Sequence, residues 1–188
     1  MFNTLSNYIN LINNEEIRED VIKLMNRPEV GEAFKYPSSS TGLFHPADEN
    51  QPWGLLIHTL RVCNVAIQLY RCVEDYSNNT IAYDILIASA LLHDVPYKNI
   101  DGKSNKNHAH DNAVWFSQNS TMPMEVRTQI ANCIQWHMGR WDSNNHTDYD
   151  KFPNNLLSWS LHQSDCIVSR KNISVGIDCI DYIKSNLI

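Results

Sequence analysis

The feature that most constrains this chain is the run Ile81 to His93, I-A-Y-D-I-L-I-A-S-A-L-L-H, which is apolar on most of its sides. A helix apolar all round must be enclosed by its neighbours, so the run is expected to be a central, buried helix with other helices packed about it. Ser77-Asn78-Asn79-Thr80 supply a turn and capping residues before it. Pro96 disfavours helical geometry at Val95, so the helix is expected to end at His93-Asp94.

The surrounding segments supply those neighbours. Leu5, Tyr8, Ile9, Ile12, Ile17, Val21, Leu24 and Met25 recur near helical spacing, which predicts one amphipathic helix from about Leu5 to Met25. Pro28 to Pro52 is rich in Pro, Gly, Ser and Asp and reads as a long loop, a kind that is often functional. Gly54 to about Val73 is predicted helical and carries His58 near its start. Ala109 to Gln118 suits a short helix, and a longer one follows Pro123 and stops at Gly139. Lys98 to Asn107 and Trp141 to Pro153 are polar loops, and helices over Asn154 to Arg170 and Ser174 to Asn186 close the chain. No repeat and no convincing alternating strand is present. The expectation is an all-α helical bundle of one domain, with 1–27 as an N-terminal helix, 36–170 as the core and 171–188 as a C-terminal helix.

Composition agrees and excludes some functions. At 188 residues, 43% hydrophobic and 19% charged, the chain fits one ordinary globular domain. A net charge of −6 argues against an extended duplex nucleic acid as partner, because such binding needs many Lys and Arg contacts to phosphate. The five cysteines form no C-x-x-C pair and read as reduced, mostly buried thiols. The N-terminus lacks a basic region followed by an apolar one, and no stretch reaches the roughly 18 apolar residues of a membrane span. A cytoplasmic protein with no membrane partner is expected.

The adjacent pair His93-Asp94 carries the chemistry. Inside a helix neighbours diverge by about 100°, but at a terminus the backbone turns and both side chains can converge on one ion. His58 and Asp165 can bring third and fourth ligands from facing helices, as bundle proteins do. Two imidazoles and two carboxylates form a borderline-hard site for Mn, Fe, Co, Ni, Mg or Zn, and the missing thiolates disfavour structural zinc.

At these residues the sequence resembles the HD superfamily, whose pattern is H…HD…D. Gly54-Leu55-Leu56-Ile57-His58-Thr59 is similar to the family's G-L-L-x-H-T helix start, and Ala90-Leu91-Leu92-His93-Asp94 to its A-L-L-H-D. Trp136-His137-Met138-Gly139-Arg140-Trp141 resembles an H-M-G-x-W segment of small bacterial and phage HD proteins, and Leu161-His162-Gln163-Ser164-Asp165 the helix bearing the last aspartate. The resemblance spans about Tyr36 to Arg170, and within the superfamily it is nearest to the HD part of a 3′-to-5′ exoribonuclease family.

The resemblance implies a metal-dependent phosphohydrolase acting on a nucleotide or short oligonucleotide, with one or two divalent ions. Asp94 would orient or deprotonate the attacking water, and Lys98, Arg140 and Arg61 would neutralise charge on phosphoryl oxygens. Where the family often has lysine three residues after the aspartate, this chain has Tyr97 and then Lys98. His108 and His137 match extra histidines that bind a second metal or hold phosphate, and His108 fits that place better than His110. His45 matches a histidine placed before the G-L-L segment and is assigned to substrate, while Tyr97 and Trp141 are candidates for nucleobase contact. His110, His146 and His162 also have a plain reading as exposed loop histidines. A mixed-valent di-iron oxygenase on the same scaffold, and a non-catalytic nucleotide-binding module, are the competing functions. Helical domains of this size often dimerise, and a homodimer is compatible with the sequence.

Overall fold

The computed structural model describes residues 2–39, 41–73, 79–100, 103–141 and 155–177. Helix α5 (Thr80–Leu92) occupies the predicted place, and every residue from Tyr83 to Leu92 is buried. The Asn79 side chain caps its N-terminus by accepting from the Ala82 amide. Each fully buried Leu or Ile contributes about 1.5–3 kcal/mol of transfer free energy, so burial on all sides fixes this helix at the centre.

Helices α4 (Gly54–Val73), α7 (Met124–Trp136) and α8 (Leu156–Val168) pack against α5 and meet around its C-terminal end. Helix α6 (His108–Asn119) lies along α7. A single hydrophobic core runs from Leu5 through these helices to Ile177. The protein is all-α, with strand confined among the described residues to the two-residue pairs β1 (Asn99–Ile100) and β2 (Lys103–Ser104), a small hairpin that the sequence reading did not contain. No described helix is long and apolar enough to cross a membrane.

Three expectations are corrected. The single N-terminal helix is two, α1 (Phe2–Ile9) and α2 (Glu15–Met25), because Asn14 takes an extended backbone and caps α2 through the Ile17 amide. Buried Asp84 of α5 accepts from the amides of Asn13 and Asn14, which ties that break to the central helix. The long loop from Pro28 holds a short helix α3 (Pro28–Ala33) and a 3-10 turn (Ala47–Asn50). The predicted last helix does not begin at Ser174, since 173–177 run without helix along α4, where Asn64 donates to the Gly176 carbonyl; the remainder of that expected helix lies outside the described residues.

Candidate metal centre

The helix break at Pro96 has the predicted effect: the chain turns over 93–97, and His93 and Asp94 face the same buried space. Asn112 of α6 holds the turn, its side chain donating to the His93 carbonyl at 3.0 Å and accepting from the Tyr97 amide at 2.8 Å. Into this space α4 brings His58 and α8 brings Asp165. The His58 Nε2 lies 3.1 Å from Asp165 Oδ1 and 3.7 Å from Asp94 Oδ2, and His93 Nε2 lies 3.5 Å from Asp94 Oδ2.

Nε2 of His58, Nε2 of His93 and Oδ2 of Asp94 are all buried without an aligned hydrogen bond. Asp94 Oδ2 has the Lys98 ammonium at 3.0 Å and His58 Nε2 has Asp165 Oδ1 at 3.1 Å, which leaves His93 Nε2 as the atom whose burial is costly unless something satisfies it. The two triads His58, His93, Asp165 and His93, Asp94, His137 each offer ligand atoms within 4.8 Å of one another, so the buried cluster can hold a metal ion.

The histidine tautomers are set from behind, as at metal sites generally. A carbonyl only accepts, so Nδ1 carries the proton in His93 (to Ala90 O, 2.8 Å), His108 (to Asn105 O, 2.8 Å) and His137 (to Ile134 O, 2.6 Å). Each is thereby left with its Nε2 lone pair facing the centre. Nε2 of His108 lies 3.1 Å and Nε2 of His137 3.3 Å from Asp94 Oδ1, with 3.2 Å between the two nitrogens. Asp94 thus offers Oδ2 to one side of the centre and Oδ1 to the other.

For His58 the outer partner is Glu49, which the sequence reading missed. Glu49 is wholly buried, and its Oε2 accepts from Nδ1 of His58 at 3.1 Å and from Nδ1 of His45 at 2.9 Å. Ser38 donates to the Glu49 carbonyl at 3.0 Å. The 3-10 turn carrying Glu49 lies so close to the start of α4 that a Cβ on Gly54 would sit 2.0 Å from the Glu49 carbonyl oxygen. Only glycine allows that approach. The available signal was an acidic residue four after His45 in a loop leading into glycine.

The electrostatics follow from burial against these charges. Burial disfavours the His58 imidazolium, but Glu49 and Asp165 outweigh it and raise its pKa to about 10. Burial would raise the Glu49 carboxyl, yet His58, His45 and Arg61 bring it down to about 2. Burial lowers His93 to about 4, and neighbouring His137 adds to that. Asp94 and Asp165 are held well below the usual carboxylate range against burial, chiefly by Lys98 and by His58 respectively.

Two adjoining pockets open onto the centre. One, of about 260 Å³, is lined by Phe44, His45, Lys98, Met138, Trp141 and Asp165 among others; the second, of about 460 Å³, shares His45, Lys98, Met138 and Trp141 and adds His108. Phe44 and Trp141 are 60% and 51% exposed and form an aromatic rim. Of the residues assigned to substrate, His45, Lys98 and Trp141 therefore line the opening.

Arg61 does not. Its guanidinium is taken up by Asp48 (2.9 Å), Glu49 (2.7 Å) and the Val175 carbonyl (2.9 Å), so it supports Glu49 instead of facing a ligand. Tyr97 also points elsewhere, lining a separate surface groove with His110 and Val114. His162, given a plain reading as an exposed loop residue, is buried in α8 and meets the His137 carbonyl through Nδ1 at 2.6 Å, whereas His110 is exposed but stands on helix α6 and not in a loop. Gly139 has φ +53° and would clash with the His162 ring if it bore a Cβ, which is why the turn after His137 needs glycine. The Arg140 side chain and His146 lie outside the described residues.

Fold and site together define an all-α protein whose buried histidines and carboxylates can hold a metal ion. Comparison of the chain with family models, curated proteins and solved structures finds no match in any of the three.

Proposed function

We propose that this protein is a metal-dependent phosphohydrolase of the HD type, acting on a nucleotide or short oligonucleotide at a phosphate ester or anhydride. The observation that carries the reading is the buried convergence of His58 Nε2, His93 Nε2, Asp94 Oδ2 and Asp165 Oδ1, with Asp165 lining an open pocket. The N/O donor set fits Mn, Fe, Co, Ni, Mg or Zn. When bound, such an ion supplies Lewis-acid polarisation and acidifies water at its surface.

The chain's own groups do the rest. Asp94 stays ionised at any working pH, so it orients a water by accepting its proton in a hydrogen bond and is a weak base for removing it. Lys98 lines both pockets, Arg170 the smaller and Lys106 the larger, so cations face the space where phosphoryl oxygens would lie. Trp141 and Phe44 offer flat apolar surface at the rim, suited to a nucleobase.

A second reading, a di-iron oxygenase, is favoured by the other three donors, His108 Nε2, His137 Nε2 and Asp94 Oδ1, which lie within 3.3 Å of one another. The ammonium of Lys98 on two of those same atoms weighs against it. The complete donor set weighs against a non-catalytic nucleotide-binding module. The test is incubation with nucleoside mono-, tri- and cyclic phosphates and short oligonucleotides, with Mn or Co supplied and a chelated control. Chelator-sensitive release of phosphate or nucleotide supports hydrolysis; no turnover, with iron bound and oxygen consumed, supports the oxygenase.

A further inference from the structure

Lys98 sits four residues after Asp94, and the backbone folds its side chain over the carboxylate. The Lys98 amide donates to the Asp94 carbonyl at 3.0 Å, and the Lys98 carbonyl accepts from the Asn105 amide at 2.9 Å, so the residue is clamped at both ends. Its Nζ lies 3.0 Å from Asp94 Oδ2 and donates to Asp94 Oδ1 and to His108 Nε2, each at 3.3 Å.

Two of those partners, Asp94 Oδ1 and His108 Nε2, belong to a second set of donors, while Asp94 Oδ2 keeps a further lone pair for the first. Asp94 Oδ1, His108 Nε2 and His137 Nε2 are separated by 3.1–3.3 Å. Adjacent ligands on an octahedral ion with bonds of about 2.1 Å stand about 3.0 Å apart, so the set has the spacing of a cation site. Three lone pairs so close repel one another unless a positive charge lies among them. An ammonium already meets two of the three, and its three N–H groups match acceptors and not donors.

We propose that the Lys98 ammonium is the second cation of this centre, and that by occupying Asp94 Oδ1 and His108 Nε2 it limits the chain to one divalent ion. The inference rests on the reading of His58, His93, Asp94 and Asp165 as the holders of that ion. A second divalent ion would need the same two atoms, and beside the ammonium, in a buried site, it would meet unscreened repulsion. In a hydrolytic centre the lysine would then supply the second positive charge beside the one ion. His108 and His137 serve to hold the lysine's pole of the site.

The test counts ions. Full-length protein is stripped with a chelator, reloaded with excess Mn²⁺ alone and desalted; bound manganese is measured and the electron paramagnetic resonance spectrum recorded on the same sample. Wild type is expected to hold one ion per chain with an uncoupled spectrum. Lys98→Met is expected to hold two with a spin-coupled spectrum, Lys98→Arg one, and Lys98→Met combined with His137→Ala one. Two ions in wild type, or one in a folded Lys98→Met, overturns the proposal while leaving the metal reading intact. No ion in wild type overturns both. Should Lys98→Met fail to fold, Lys98→Gln, which also removes the charge, takes its place with the same expectation of two ions, and one ion in it overturns the proposal.

Discussion

Glu49 Oε2 lies 3.1 Å from Nδ1 of His58, and both side chains are wholly buried. The carboxylate fixes a His58 proton on Nδ1 and so points Nε2 toward Asp165 and Asp94, where its lone pair becomes available to an ion once the Nε2 proton is displaced. Glu49→Gln keeps the shape but can present an amide N–H to Nδ1 and favour the wrong tautomer. Manganese affinity, measured by titration calorimetry, is expected to fall roughly 10–100-fold with the fold retained. Unchanged affinity would remove Glu49 from the support of the site.

Arg61 yields a prediction that separates support from substrate contact. Its side chain is 7% exposed and pairs with Glu49 and Asp48. Arg61→Met leaves Glu49 short of a buried counter-charge and is expected to cost about 3 kcal/mol in urea unfolding. KM for a hydrolysed nucleotide should stay near wild type in the folded fraction. A large rise in KM with stability unchanged would restore Arg61 to the substrate.

The aromatic rim predicts a contrast between two residues that looked alike in sequence. Trp141→Ala is expected to raise KM roughly ten-fold, since stacking on a base contributes about 1–3 kcal/mol. Tyr97→Ala, which alters a groove on another face, should leave KM unchanged. Equal effects of the two would move the base-binding surface.

Much of this architecture was legible because it rests on local rules. The central helix followed from a run apolar on most of its sides, its end from Pro96, and α4 from a periodic stretch that begins at Gly54. His58, His93, Asp94 and Asp165 were legible as a group because each stands at or near a predicted helix. What was not legible depended on contacts distant in sequence. Nothing between Leu5 and Met25 shows that Asp84, some 70 residues on, would stabilise a break at Asn14. Nor does a lone glutamate in a loop disclose that it will be buried against two histidines and an arginine. Tyr97 and Lys98 are neighbours whose side chains part company in the turn after Asp94, and single-sequence spacing cannot resolve which of the two faces the centre.

The opposed histidines predict how the chelated protein responds to pH. His58 is held at about 10, above the ordinary 6.5, so the folded chain binds a proton between those values that the unfolded chain has lost. Its stabilising effect is complete below 6.5 and falls away as pH rises toward 10. His93 is held at about 4, so between 4 and 6.5 the unfolded chain takes up a proton that the folded chain refuses, and stability falls as the solution is acidified. Burial also lowers His45 and His108, which steepens that acid limb. Glu49, held at about 2 against an ordinary 4.5, adds a further loss below 4.5. Each group contributes a slope of up to about 1.4 kcal/mol per pH unit. Chelated protein, followed by urea unfolding from pH 4 to 10, is therefore expected to be most stable near 6.5. Added Mn²⁺ must displace the His58 proton to reach Nε2, so it should move the maximum to higher pH. A maximum that stays in place when the ion is added would mean that His58 does not ligate it.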